Sequence, residues 1–336
     1  MKLRSRVLLF IVVTVLVTGC APAATPAPKL KVAVVFPERV ATGPFWQVIN
    51  EGALKAGKEF ADKVDVKIVE AGGLEKTEEN LRAMAKEGYN LVITAAFSTQ
   101  TVLDKVAREF PQVSFMTVDA MVDAGNVRSA VFREHEGTFQ MGMLAALMTR
   151  SNSVAWVGAT DSPFDSRWSY GFEQGAKYVR PGVGFIDARV GSYHDPVRAK
   201  ELALASFTQG ADVIHAGAGG GNYGIFEAAK EKGFYTMSVD VDECALDPEH
   251  IIGSMVKRSD VAVYDAIKDL AGGTFTPGVK SYGVKEGGVG LCLLLFPDHP
   301  KNAVPQEVLD KIEAARDKIA SGELKVWDFA TEGRKP

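Results

Sequence analysis

Lys31-Val32-Ala33-Val34-Val35-Phe36 decides the fold. The run is short, nearly all apolar and rich in β-branched residues. It lacks the polar alternation of a half-wet strand, so it suits a strand covered on both faces. Val48, Gly52, Leu54, Ala56 and Phe60 follow in a stretch without proline and read as a helix. The alternation then repeats. Val64–Val69 reads as a strand, Thr77–Lys86 as a helix with Thr77 as its N-cap, and Leu91–Ala96 as a strand. Thr99–Glu109 reads as a helix and Val113–Val118 as a strand. After a helix over Gly137–Met148 the pattern restarts, with strands at Ser153–Gly158, Gly184–Val190, Ala211–Ala216 and Tyr235–Val239. Helices near 167–180, 196–208 and 222–232 separate them. Strands separated by helices imply parallel sheets built from right-handed crossovers, and two such series imply an α/β protein of two doubly wound lobes.

The last section differs. Asp260–Leu270 reads as a helix stopped by Gly272-Gly273, and Val289–Leu295 as a strand. Val308, Ile312, Ala315 and Ile319 share one face of a closing helix. It is too small for a lobe of its own. The expected organisation is lobe 1 over 30–133, lobe 2 over 134–245, and segments over 246–336 that return across a hinge and pack on both.

Upstream of the first strand, Lys2, Arg4 and Arg6 precede the apolar run Val7–Val17, and Val17-Thr18-Gly19-Cys20 follows. A charged start, a short apolar core and small residues before a cleavage point make a secretory signal over 1–19. Eleven helical residues rise only ~16 Å, about half the hydrocarbon core. Val17-Thr18-Gly19-Cys20 resembles the bacterial lipobox, which implies acylation of Cys20. The proline-rich stretch over 20–29 then reads as a lipidated tether on the extracytoplasmic face of a membrane.

Removing residues 1–19 from the 336 leaves 317, enough for two cores. It also removes three positive charges and takes the formal net charge from −4 to −7. A mildly acidic chain with no basic run argues against nucleic acid as a partner. Cys244 and Cys292 remain, read as two ordinary buried cysteines rather than a disulfide framework. The chain has no G-x-S-x-G, no H-E-x-x-H and no cysteine pair at metal spacing, and its five histidines are dispersed. No catalytic residue, metal or cofactor is expected.

Ligands of parallel α/β sheets bind beyond the carboxyl ends of the strands. That rule selects Gly43-Pro44-Phe45-Trp46 after the first strand, then Phe97, Asp119 and Asp161, the loop Gly217–Gly224 with Gly220 and Tyr223, and Asp240 with Asp242. Trp46 is expected in the site, whereas Phe45 suits core and site equally. Asp240 and Asp242 suit ligand contacts and loop caps equally. Gly219-Gly220-Gly221-Asn222-Tyr223-Gly224 contains G-x-G-x-x-G, read as close backbone approach or a simple turn rather than a nucleotide fingerprint. Aromatics with separate carboxylates suit a neutral, hydroxylated, ring-bearing ligand.

Several segments carry a resemblance in order along almost the whole mature chain. They are Phe45–Gly52, Phe110–Phe115 leading to Asp119, Glu136–Phe139, Leu144–Thr149, Gly210–Ile214, Phe226–Gly233, Val239–Asp242, Ser254–Arg258 and Lys285–Leu291. Together they resemble the basic membrane protein family, lipid-anchored substrate-binding components of ABC importers with the type I periplasmic-binding fold. The resemblance implies a purine-nucleoside-like ligand, ABC permease subunits as partners and a monomer. It also implies a stacking role for Phe45, a ligand-binding acid at Asp119, a ribose-binding acid at Asp240 and a binding lysine at Lys285. Family members often carry acidic residues after the first strand and Ser-Phe-Asn at the stacking site. Here Phe36-Pro37-Glu38 and Pro44-Phe45-Trp46 stand instead. A sugar or riboflavin receptor, or an exported nucleoside-processing enzyme, is the alternative.

Overall fold

The computed structural model describes residues 28–296, 298–299 and 303–334. The signal segment, Cys20 and most of the tether lie outside them. In chain order the first lobe supplies β1 (Leu30–Phe36), α1 (Pro44–Glu59), β2 (Val64–Glu70), α2 (Leu74–Lys86), β3 (Leu91–Ala95), α3 (Gln100–Glu109), β4 (Ser114–Val118) and β5 (Val127–Phe132). The second supplies α4 (Glu134–Met148), β6 (Ser153–Gly158), α5 (Pro163–Val179), β7 (Gly184–Arg189), α6 (Pro196–Thr208), β8 (Val213–Gly217), α7 (Asn222–Lys232), β9 (Tyr235–Asp240) and β10 (Ile251–Lys257). There follow α8 (Ser259–Ala271), β11 (Gly278–Tyr282), β12 (Val289–Leu291), α9 (Cys292–Leu295), α10 (Gln306–Ser321) and α11 (Phe329–Glu332).

Among the described residues the strands form two six-stranded sheets, ordered β11-β5-β4-β3-β1-β2 and β12-β10-β9-β8-β6-β7. All pairings are parallel except β10 with β12. Val32 to Phe36 are fully buried, as a strand with helices on both faces requires. In each sheet the first strand of its lobe is flanked by the next two, so order reverses at β1/β3 and at β6/β8. Those are the switch points where such sheets leave a crevice.

The sequence reading missed β5, β10 and β11 and took β12 too long. Both β5 and β10 follow their neighbours through connections without an α-helix, so the strand–helix rhythm lapses at the same place in each lobe. The Val289–Leu295 run splits into β12 and the short α9. Thr77 is not an N-cap. Gly72 and Gly73 adopt positive φ and start α2 earlier, and Thr77 lies buried inside it with Oγ1 donating to the Gly73 carbonyl at 2.8 Å.

Among the described residues the chain passes between the lobes three times, from β5 into α4, from β10 into α8, and from β11 into β12. Helix α8 lies on α1 so closely that a Cβ at Gly52 would meet the Asp260 carbonyl oxygen at 2.3 Å. Arg133 joins the first and third crossings. Its guanidinium reaches Glu136 at 2.7 Å, Glu286 at 2.5 Å and Ser281 Oγ at 2.9 Å.

Candidate functional site

Among the described residues, four other than glycine have positive φ, and three of them end strands facing the cleft. Ala96 (φ +81°) follows β3, Asp119 (φ +62°) follows β4 and Asp240 (φ +69°) closes β9. That region is unfavourable for residues with a Cβ, and such backbone persists where the surroundings over-determine it, often at sites. The two aspartates thus turn out of opposite sheets toward one point.

Lys257 occupies that point. It ends β10, a strand buried along its full length, and its side chain is 3 % exposed. Nζ lies 2.5 Å from Asp119 Oδ2 of the first lobe and 3.1 Å from Asp240 Oδ1 of the second. Burial alone would strip the ammonium of its proton. Asp119, Asp240 and Glu134 outweigh it and hold Lys257 well above the usual lysine range. Aromatic rings complete the cage. Phe45 lies 4.9 Å from Nζ, Trp168 5.1 Å and Phe132 5.7 Å, distances suited to cation–π attraction. Asp119 Oδ1 and Trp168 Nε1 are buried there with no hydrogen-bond partner among the described residues. A buried polar atom left in that state costs about 1–3 kcal/mol, so the cleft holds one acceptor and one donor ready for a polar ligand.

A second buried network supports the floor. Glu134 opens α4, and burial pushes its carboxyl up to about 7 even though Arg167 beside it opposes that. Arg167 Nη1 lies 2.9 Å from Glu134 Oε2 and 3.1 Å from the Phe132 carbonyl oxygen. Its Nε and Nη2 grip both oxygens of Asp328 at 2.8 Å. The guanidinium therefore fixes α5, the first crossing and the C-terminal segment to one another.

The expected residues divide accordingly. Asp119, Asp240 and Phe45 converge on Lys257. Trp46 turns away, 8 % exposed, stacking edge-on against Phe36 and donating from Nε1 to Glu38 Oε2 at 3.3 Å. Consecutive residues of a helix point about 100° apart, so only one of the two rings can face the cleft. Phe97 is exposed on the turn after β3, and Asp161 is exposed after β6. Asp165, one turn on, is the buried acid there, accepting from the Thr160 amide at 3.0 Å and from Tyr193 OH at 2.5 Å. Gly220 lies against Tyr193, and Tyr223 is half-exposed against Phe226. Gly224 serves packing, since a Cβ there would meet the Pro196 carbonyl oxygen at 1.8 Å. Lys285 is exposed in the turn between β11 and β12. The sequence reading missed Lys257, Trp168, Phe132, Glu134 and Arg167. Lys257 was within the Ser254–Arg258 segment, but no charge pattern marks a lysine as buried.

Two doubly wound lobes, crossed repeatedly by the chain, with ionisable and aromatic groups from both meeting in the cleft, define a two-lobed solute-binding protein. The chain belongs to the ABC transporter substrate-binding protein PnrA-like family, whose model matches residues 29–328. It is 27 % identical over 286 residues to Basic membrane protein A of Borreliella afzelii, covering 82 % of this chain and 86 % of the relative. It is 28 % identical over 266 residues to the ABC transporter nucleoside-binding protein BmpA of Lactococcus lactis subsp. cremoris, covering 74 % of each. A solved ABC transporter solute-binding protein of Aeropyrum pernix K1 superposes with a TM-score of 0.75 at 28 % identity, over 88 % of this chain and 92 % of that one. The matched family and the Lactococcus and Aeropyrum proteins are described as binding proteins of ABC transporters, not as enzymes. Among the described residues no helix is long and apolar enough to cross a membrane.

Proposed function

We propose that this substrate-binding protein is a lipoprotein anchored through Cys20, and that as a monomer it captures a purine-nucleoside-like ligand between its lobes and delivers it to an ABC permease. The observation that carries the reading is the convergence of Asp119 and Asp240, one from each lobe, on Lys257 beside the Phe45 ring. A carboxylate accepts two hydrogen bonds from vicinal ribose hydroxyls, and a second accepts from a base N–H. An aromatic face adds about 0.5–1.5 kcal/mol of stacking beyond the area it covers. In this reading Asp240 takes the ribose, Asp119 the base edge, and Phe45 and Trp168 flank the base. Lys257 neutralises the acids and holds them in register. Phe97, Asp161, Gly220 and Tyr223 form the rim, Trp46 backs Phe45, and Lys285 belongs to the hinge turn. A relative named as nucleoside-binding supports the same ligand class.

Thermal unfolding of the detergent-solubilised protein tests this against adenosine, guanosine, free bases, ribose, hexoses and riboflavin. At a hundred times Kd, the native state gains about 2.7 kcal/mol, which raises the midpoint. A purine nucleoside is expected to give the shift, and Phe45→Ala to abolish it while keeping the ligand-free midpoint within a few degrees. A shift with a sugar or riboflavin and none with any nucleoside would defeat the proposed ligand class.

A further inference from the structure

We propose that Asp242, Cys244, Cys292 and His299 bind one Zn2+ ion in a closed site of the second lobe, separate from the cleft. The sequence shows no such site, because its ligands come from distant segments and the two cysteines stand 48 positions apart. Asp242 and Cys244 lie in the connection between β9 and β10, Cys292 opens α9 after β12, and His299 lies beyond α9. The fold brings one ligand atom from each to within 4.8 Å of all the others.

The donor set and its spacing suit this cation. Two thiolates, an imidazole and a carboxylate are the groups that Zn2+ takes in tetrahedral structural sites. Two sulfurs at the Zn–S distance of ~2.3 Å across a tetrahedral angle stand ~3.8 Å apart. Cys244 Sγ and Cys292 Sγ are 3.5 Å apart, both buried and unbridged. His299 Nε2 already faces Asp242 Oδ2 at 2.7 Å, and the imidazole is 6 % exposed. Hard oxygen-seeking cations such as Mg2+ and Ca2+ disfavour a sulfur pair, which leaves a borderline-soft ion.

The surrounding donors match what bound thiolates and carboxylates need. The Ser254 amide donates to Cys292 Sγ at 3.2 Å, and the Cys244 amide donates to Asp242 Oδ1 at 3.1 Å. Such contacts orient ligands around a metal. On binding, each thiol gives its proton to solvent as its S–Zn bond forms, so the ion releases two protons and leaves the site with one net negative charge. The ion would cross-link the loop that follows Asp240 to α9, clamping the strained turn of the binding cleft from behind.

Cobalt(II) titration of the full chain, purified in detergent, reduced and freed of metal, tests the assignment. One equivalent of Co2+ should produce the ligand-field bands of a tetrahedral ion together with a thiolate-to-cobalt charge-transfer band, and Zn2+ should bleach both. Asp242→Asn, at a solvent-facing ligand, should keep the fold and weaken uptake at least about tenfold. Cys292→Ser should remove the charge-transfer band; if that variant fails to fold, Asp242→Asn and zinc content by mass spectrometry of the native protein carry the test. Two results would overturn the proposal. One is a weak octahedral cobalt spectrum that neither substitution changes. The other is alkylation of the Cys244 and Cys292 peptides only after reduction, which would mean a disulfide.

Discussion

His215 stands in β8 between aromatic rings, 4.6 Å from Trp156 and 5.4 Å from Phe172. Its Nδ1 lies 3.2 Å from the Ala216 carbonyl oxygen, and its Nε2 has no partner among the described residues. Burial pushes its pKa down to about 3, against a small opposing pull from that carbonyl. The folded imidazole stays neutral while the unfolded one protonates near 6.5. Its contribution to stability is therefore complete above about 6.5 and declines as pH falls toward 3, by up to about 1.4 kcal/mol per pH unit. His135, lowered to about 4 mainly by burial, acts in the same sense. Glu134 acts in the opposite sense, since its raised pKa makes stability fall as pH rises from the ordinary carboxylate range to about 7. His215→Phe isolates the histidine. Urea midpoints measured at pH 4, 5, 6 and 7 should fall less steeply toward acid in the variant, and parallel slopes would refute the assignment. At this scale the sequence was informative where backbone position decides. Asp119 and Asp240 could be singled out as candidates because they end strands, and the structure brings both to Lys257. Phe45 and Trp46, adjacent and both aromatic, were indistinguishable until the start of α1 fixed which ring faces inward. Lys257 was invisible because its burial depends on acids 138 and 17 positions away.

Helices α4 and α5 pack backbone to backbone in the second lobe. A Cβ at Gly142 would stand 1.9 Å from the Phe172 carbonyl oxygen, and one at Gly175 would stand 1.9 Å from that of Phe139. Gly171 faces His135 less tightly, and a Cβ there would stand 2.6 Å from its carbonyl oxygen. The glycines cost helix propensity, about 1 kcal/mol each, and allow the crossing that seats Arg167 of α5 against Glu134 of α4. A methyl group here would meet main chain, which cannot rotate away. Gly175→Ala should thus destabilise by at least about 1–3 kcal/mol, whereas Gly125→Ala, with open space around it and no positive φ, should be neutral or slightly stabilising. Denaturant midpoints decide it, and equal midpoints for the two variants would mean that the helices separate without cost. The sequence reading located both helices, α4 as a stretch rich in small and apolar residues that is buried nearly all round, and α5 as the spacer between two strands. It could not locate β5 and β10, whose approach without a helix breaks the only rhythm available. Lys257, at the centre of the candidate site, ends one of those strands, so a gap at the level of elements became a gap in the site.

The two sheets repeat one strand order, so the molecule presents two similar crevices face to face, and the cleft takes its charge from both. Lys257 belongs by sequence to the second sheet yet makes its shorter contact with Asp119 of the first. It is thus an inter-lobe tie as well as a counter-ion. Removing one partner of a buried ion pair typically costs about 3–5 kcal/mol, because the charge left behind is uncompensated. Here the molecule has a cheaper response than unfolding. With Lys257 gone, Asp119 and Asp240 repel across the cleft, and rotation about the crossings lets water reach both. Lys257→Met should keep the fold, as Met retains the apolar stem between Phe45, Phe132 and Trp168, but it should bias the lobes apart. Small-angle X-ray scattering should then give a larger radius of gyration for the variant without ligand. The proposed purine-nucleoside ligand should bind the variant at least about tenfold more weakly than the parent protein, since restoring closure must now overcome the repulsion between two carboxylates. Superimposable scattering from the two proteins, with affinity retained, would show that Lys257 fills space and does not tie the lobes. An expanded variant that still bound tightly would separate the two roles, leaving Lys257 as a tie and placing recognition on the acids and rings alone.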